Sequence, residues 1–212
     1  GDDTLTGGLG NDYLVGGTGD DFIDGTDASE IAEGVDSLVG GEGSDTIRAD
    51  DGDLVGGQEG RDFYEVVVPS SAAAAPVQIF SYDSGAEDGR AEILTLIDAD
   101  GNPLSADAVS DGLVIYASES GQDAILEYEG QQIAVLRGMD PDLLEEQANW
   151  IGNLDPDLDA EVQIRAAASS ETQISMSVES VSGTGAMVTP EMFGTNAVYS
   201  VNTDEGVPLE NY

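Results

Sequence analysis

Aspartate holds a fixed place in a glycine frame along the first 65 residues, and the chemistry this spacing supports is oxygen ligation. Gly7-Gly8-Leu9-Gly10-Asn11-Asp12-Tyr13-Leu14-Val15 runs directly into Gly16-Gly17-Thr18-Gly19-Asp20-Asp21-Phe22-Ile23-Asp24. The same nine-residue frame returns as Gly40-Gly41-Glu42-Gly43-Ser44-Asp45-Thr46-Ile47-Arg48. These are three complete copies of G-G-x-G-x-D-x-U-x, in which U is a large apolar residue. Carboxylates and backbone carbonyls are ligands for hard cations, and Ca²⁺ takes roughly six to eight of them. A flexible linker would share the glycine content but has no reason to keep Asp at the sixth place and an aliphatic at the eighth.

The other copies are irregular. Gly1-Asp2-Asp3-Thr4-Leu5-Thr6 reads as the second half of a copy, from which an upstream part is expected. Between Gly25 and Val39 a copy keeps Asp36 and Leu38 but carries about six extra residues around 28–33. Ala49 to Val55 reads as two residues short, with Gly52, Asp53 and Leu54 retained. Gly56 to Glu65 reads as carrying one inserted residue near Glu59, with Gly57, Gly60, Asp62 and Tyr64 in pattern. Seven copies can be traced, and the irregular ones weaken the ion sites beside Asp36 and Asp53.

Composition agrees with this chemistry and removes most others. The 212 residues carry 44 Asp and Glu against 5 basic residues, all Arg, for a formal net charge of -39. A nucleic-acid partner is excluded, because a phosphate backbone is bound by the charges this chain lacks. No apolar run long enough to span a membrane is present, and no basic and apolar leader opens the sequence, so neither membrane insertion nor an N-terminal signal peptide is expected. With no Cys and no His, disulfides, thiolate metal sites and the usual nucleophile and base pairs are absent.

Positioning the aspartates requires a coil in which each nonapeptide is a half-turn. Six residues form a tight loop and three a short strand whose single U side chain points inward, so Leu5, Leu14, Ile23, Leu38, Ile47, Leu54 and Tyr64 are the expected narrow core. Loops two copies apart lie on the same side and stack, holding ions between them. The expected ligands are Asp3, Gly8, Gly10, Asp12, Gly17, Gly19, Asp21, Asp36, Gly41, Gly43, Asp45, Gly57, Gly60 and Asp62. The strongest site is expected between the loops Gly16 to Asp21 and Gly40 to Asp45, with Asp3 facing Asp21, Asp45 facing Asp62, and Asp12 facing the irregular copy. Pairing loops in this way gives about three to five ions.

These repeats resemble the repeats-in-toxin (RTX) family, whose nonapeptides build a parallel β-roll with Ca²⁺ in the loops. The resemblance covers Gly1 to Glu65. It implies secretion of a bacterial extracellular protein through a type I apparatus, folding outside the cell, and a separate upstream catalytic, lytic or adhesive part.

Beyond Glu65 the pattern shifts to alternation typical of strands. Phe63 to Val68, Val77 to Tyr82, Ala91 to Ile97, Gly112 to Ser118, Ala124 to Glu129 and Gln132 to Arg137 read as strands separated by Asp-Gly, Ser-Gly and Glu-Gly turns. They suggest an antiparallel sandwich or a flattened extension of the roll. Asp140-Pro141 reads as a helix start, with one short helix expected from Pro141 to about Ile151. The segment also resembles the module that closes the roll in that family. The overall expectation is an all-β chain, with a parallel β-roll over 1–65, a β-sandwich-like cap with one short helix over 66–151, and C-terminal strands or a tail with a secretion signal over 152–212. Glu161 to Ala167 and Thr172 to Val181 are further candidate strands.

Asp98-Ala99-Asp100-Gly101-Asn102 imitates the start of an EF-hand, but Gly sits fourth and Val109 occupies the twelfth place, so a hairpin turn is expected. No enzyme is expected within these residues. Two functional classes remain. One is a calcium-dependent folding and export module. The other is a structural or adhesive surface subunit that uses the roll as a rigid spacer and self-associates.

Overall fold

In the computed structural model the described residues are 1–27, 34–70, 74–83, 92–145, 150–154 and 163–165. The glycine frame folds as a coil of alternating short strands. On one side β1 (Thr4–Thr6), β3 (Phe22–Asp24), β5 (Thr46–Ala49) and β7 (Phe63–Val67) pair in parallel. On the other, β2 (Tyr13–Thr18), β4 (Ser37–Glu42) and β6 (Leu54–Glu59) do the same. The registers align the U positions: Leu5 with Ile23, Ile23 with Ile47, Ile47 with Tyr64, and Leu14 with Leu38. These side chains form the expected column between the sheets. Ile23, Leu38, Ile47 and Tyr64 are fully enclosed, whereas Leu5 and Leu14 at the open end are half-buried.

Leu54 is the exception in this core. It pairs with Ser37 and stands 40% exposed, while Val55 pairs with Leu38 and is buried. The pairing shows the irregular copies to be simpler than they read. Ala49 to Gly56 is one residue short, and Gly57 to Glu65 carries no insertion: Gln58 takes the place of the second glycine opposite Gly41, at φ 80. Gly57 accordingly corresponds to Gly40 rather than to Gly41.

The parallel ladders do not stop at Glu65. β8 (Val77–Phe80) pairs with β6 and β9 (Ile93–Ile97) with β7, so Ile79 stacks on Val55 and Leu94 on Tyr64. Instead of forming a sandwich, β10 (Leu113–Ala117), β11 (Ala124–Tyr128) and β12 (Gln131–Arg137) make an antiparallel meander whose last strand pairs in parallel with β8. One eight-stranded sheet therefore runs from the roll into the cap, with β13 (Gln163–Arg165) at its far edge beside β10. The other five-stranded sheet ends at β9.

Among the described residues two helices occur where one was expected. α1 (Ala106–Gly112) starts on Ser105, whose Oγ accepts from the Ala108 N–H, and buries only Val109. α2 (Pro141–Glu145) is shorter than the expected span to Ile151, because Trp150 and Ile151 are used otherwise. The Leu94 N–H donates to the Trp150 carbonyl, and Ile151 bridges Leu94 in parallel. Asn153 then takes the place of a neighbouring strand, its Oδ1 accepting from Leu96 N and its Nδ2 donating to the carbonyls of Leu96 and Leu104. The exposed edge of β9 is thereby covered, as an isolated sheet edge requires. Asp98 to Asn102 is a turn, with the Asp98 carboxylate accepting from the N–H groups of Asp100 and Asn102. The candidate strand Thr172 to Val181 lies outside the described residues.

Candidate metal centre

The loops between the strands stack by their aspartates. The Asp3 N–H donates to Asp21 Oδ1 (2.7 Å), the Asp21 N–H to Asp45 Oδ1 (2.8 Å) and the Asp45 N–H to Asp62 Oδ1 (2.9 Å). On the opposite side the Asp12 N–H donates to Asp36 Oδ1 and the Asp36 N–H to Asp53 Oδ1, both at 2.8 Å. Two columns of carboxylates result, Asp3-Asp21-Asp45-Asp62 and Asp12-Asp36-Asp53. Each expected pairing is brought together: Asp3 with Asp21, Asp21 with Asp45, Asp45 with Asp62, and Asp12 with the irregular copy through Asp36.

In Asp21, Asp36, Asp45 and Asp62 one oxygen fixes the preceding loop of the stack, and the other takes no N–H donor. The Oδ2 atoms of Asp12, Asp21, Asp36, Asp45 and Asp62 are buried and accept no hydrogen bond. Glycine accommodates this arrangement, since a side chain at Gly16, Gly40 or Gly57 would collide with Oδ2 of Asp21, Asp45 or Asp62. A buried carboxylate oxygen with no donor is costly, and a cation beside it removes the cost. Among the described residues no three acidic side chains converge on one point. A cation here must therefore draw much of its shell from backbone carbonyls, as flexible oxygen sites for Ca²⁺ do. Gly8, Gly10, Gly17, Gly19, Gly41, Gly43 and Gly60 all adopt positive φ in these loops. Gly57 does not and lies under the Asp62 carboxylate instead.

Asp53 differs from the rest. Its Oδ1 takes the Asp36 N–H and its Oδ2 takes the N–H of Asp50 in its own shortened loop (3.1 Å), so both oxygens are satisfied within the protein. The loss of one residue from that loop turns the carboxylate inward on itself.

Burial pushes the carboxyls of Asp36, Asp45 and Asp62 upward, and neighbouring carboxylates add to the rise at Asp36 and Asp45. Burial also raises Asp50 to about 6 and Asp53 to about 7. Raised folded-state values mean that the ion-free roll holds more protons than the unfolded chain. Its stability is therefore greatest below the ordinary carboxylate range near 4 and falls as pH rises toward 7. In chelator, β signal in circular dichroism should grow as pH is lowered from 8 to 4. Protons compete with the cation for the same oxygens, so calcium affinity should weaken by at least about tenfold over the same descent. Constant ellipticity in chelator across that range would refute the linkage.

One acidic residue was missed in the sequence. Glu92 is buried, its Oε2 accepts from the Asp83 N–H (2.8 Å), and its Oε1 takes no N–H donor. Its signal was the triplet Glu92-Ile93-Leu94, which repeats the order of Asp62-Phe63-Tyr64, an acidic residue followed two places on by a large core side chain.

Residues 1–27 and 32–63 match the family described as the RTX calcium-binding nonapeptide repeat, in four copies. The matched residues thus carry RTX calcium-binding repeats, and repeats of that family occur in secreted bacterial proteins. No curated protein and no solved structure gives a significant match. Among the described residues no helix is long and apolar enough to cross a membrane.

Proposed function

We propose that this chain is a calcium-triggered folding module that supports type I export of a larger extracellular protein. The observation that carries this reading is the pair of stacked carboxylate columns, each holding buried oxygens that lack a donor. Ions bind between Asp3 and Asp21, Asp21 and Asp45, Asp45 and Asp62, and Asp12 and Asp36, with carbonyls of the intervening loops completing each shell. That gives about four sites, within the range of three to five set by loop pairing. In a low-calcium cytoplasm the chain stays extended and can thread an export channel. In a calcium-rich exterior it folds from the cap inward and cannot slip back.

The test is export of a reporter fused upstream of Gly1 in a bacterium supplied with a type I apparatus, with external calcium varied. Export should rise with calcium for the native chain and lose that dependence in the double variant Asp21→Asn/Asp45→Asn. Equal calcium dependence in both chains would overturn the reading.

An adhesive or surface-layer role has one observation in its favour. Tyr13, Val15, Leu54 and Phe80 form an exposed apolar group on the outer face of the eight-stranded sheet, where Val15, Val39, Gly56 and Phe80 lie in one row. Size-exclusion chromatography in calcium separates the two readings: a monomer supports export, and ordered assembly supports adhesion.

A further inference from the structure

We propose that the Asp3-Asp21-Asp45-Asp62 column ends in an additional cation site beyond the nonapeptide repeats, held by the carboxylates of Asp62 and Glu92 and selective for Ca²⁺-type, oxygen-seeking ions. The site deepens the calcium reading of the repeats and rests on it.

Glu92 occupies the aspartate position of one further turn. Ile93 pairs with Phe63 and Leu94 with Tyr64, and the Ile93 N–H donates to the Asp62 carbonyl (3.0 Å). Glu92-Ile93-Leu94 therefore stands on Asp62-Phe63-Tyr64 as that triplet stands on Asp45-Thr46-Ile47. Both carboxylates are withdrawn from solvent, Asp62 at 0% and Glu92 at 1% exposure. Each spends one oxygen on the protein: Asp62 Oδ1 accepts from Asp45 N (2.9 Å), and Glu92 Oε2 accepts from Asp83 N (2.8 Å). Asp62 Oδ2 and Glu92 Oε1 take no N–H donor, and the two carboxyls lie within hydrogen-bond reach of each other, with the Tyr64 hydroxyl within reach of Glu92. The Phe63–Ile93 pairing sets the two acidic residues side by side on neighbouring strands.

The opposite column shows what termination without an ion looks like. There Asp53 has both oxygens satisfied by the N–H groups of Asp36 and Asp50. The next turn then places Val77, buried and apolar, above it, with the Gln78 N–H on the Asp53 carbonyl (2.7 Å). An apolar residue closes that column without adding a second carboxylate to it. Closing the first column with a glutamate instead sets two enclosed carboxyls against one another, an arrangement held either by a proton shared between them or by a cation that displaces that proton.

The surroundings supply a reporter. The Tyr82 hydroxyl donates to the Glu92 carbonyl (2.7 Å), the Tyr82 ring lies 6.4 Å from that of Trp150, and Trp150 is the single tryptophan of the chain. Terbium, which replaces calcium in oxygen sites, should bind to the full chain and emit on excitation of tryptophan alone. Excess Ca²⁺ should quench that emission by displacement. E92Q should lose most of it and bind one ion fewer by titration calorimetry. D21N, whose carboxylate lies two turns away, should bind fewer ions but keep the tryptophan-driven emission. E92D, which keeps the charge and shortens the reach, serves if E92Q does not fold, and should weaken terbium binding at this site by about tenfold. A native chain that takes up ions yet shows no tryptophan-driven emission would overturn the terminal site alone, as would E92Q with unchanged emission and ion count. A native chain that takes up no ions would overturn the calcium reading and this site with it.

Discussion

In excess chelator at neutral pH, the chain should lose the β signal of its repeat region, and added Ca²⁺ should restore it cooperatively. Three features set the size of this effect. Each half-turn contributes one inward apolar side chain, so little apolar surface offsets the entropy of fixing nine residues. Between Gly1 and Tyr64 the sequence carries 17 acidic residues against two Arg, and the folded loops bring the aspartates into register. The carboxylate oxygens left without donors then add a burial cost that the unfolded chain does not bear. Each ion bound at a hundredfold excess over its dissociation constant contributes about 2.7 kcal/mol, so three such sites supply about 8 kcal/mol, comparable to the whole stability of a small domain. Magnesium should restore little, because it holds its waters and demands octahedral geometry. Circular dichroism during a chelator-to-calcium titration reads the result, and a fully folded roll in chelator would leave calcium as a mere stabiliser.

The second large effect is expected at Gly43. Its φ is +135°, and a methyl group there would meet the carbonyl oxygen of Gly19 in the loop stacked against it. Gly43→Ala therefore strains its own backbone and pushes apart the two loops that carry Asp21 and Asp45. The cost should be on the order of 3 kcal/mol or more, which lowers the folding constant by over about a hundredfold and, shared among about four coupled ions, raises the calcium midpoint by roughly fourfold. Gly8→Ala is the control. Its φ is +84°, but nothing lies within 4 Å of the added carbon, so only the backbone penalty of about 1 kcal/mol remains. Equal midpoints for the two variants, measured by calcium titration, would show that close loop stacking does not govern folding.

The intact copies could be read from sequence because several demands coincide in each of them. Positive φ calls for glycine, the ion calls for aspartate, and the core admits one aliphatic residue per unit. The shortened copy was misread by one place because adjacent Gly56 and Gly57 look like the start of a unit. The parallel pairing of Val55 with Leu38 settles the frame instead, and Gln58 tolerates the turn that glycine usually makes. Strand bounds in the cap followed from alternation to within about two residues, since alternation is local. Their partners did not, because the parallel join of β12 to β8 is made between segments remote in sequence. Glu92 escaped notice for a related reason. Its triplet keeps the order of the repeat, but the sequence from Ser81 to Ala91 stands where a six-residue glycine loop would have announced it. The helix expected to reach Ile151 was shortened by a tertiary demand, the bare edge of β9, which Trp150, Ile151 and Asn153 cover.

The distribution of apolar residues gives the roll a direction of growth. Each half-turn from Ile23 to Tyr64 encloses one such residue, and beyond them lies the larger cluster of Ile79, Tyr82, Leu94, Leu96 and Trp150. The cap is therefore the nucleus, and each preceding turn is a zipper tooth added to an edge already formed. The loop to be closed at each step spans at most 24 residues between stacked aspartates, and 17 or 18 elsewhere. Short closures of this kind are entropically mild and fast. A chain that orders in this sense winds toward Gly1, and each completed turn becomes a pawl against unwinding of the turns behind it.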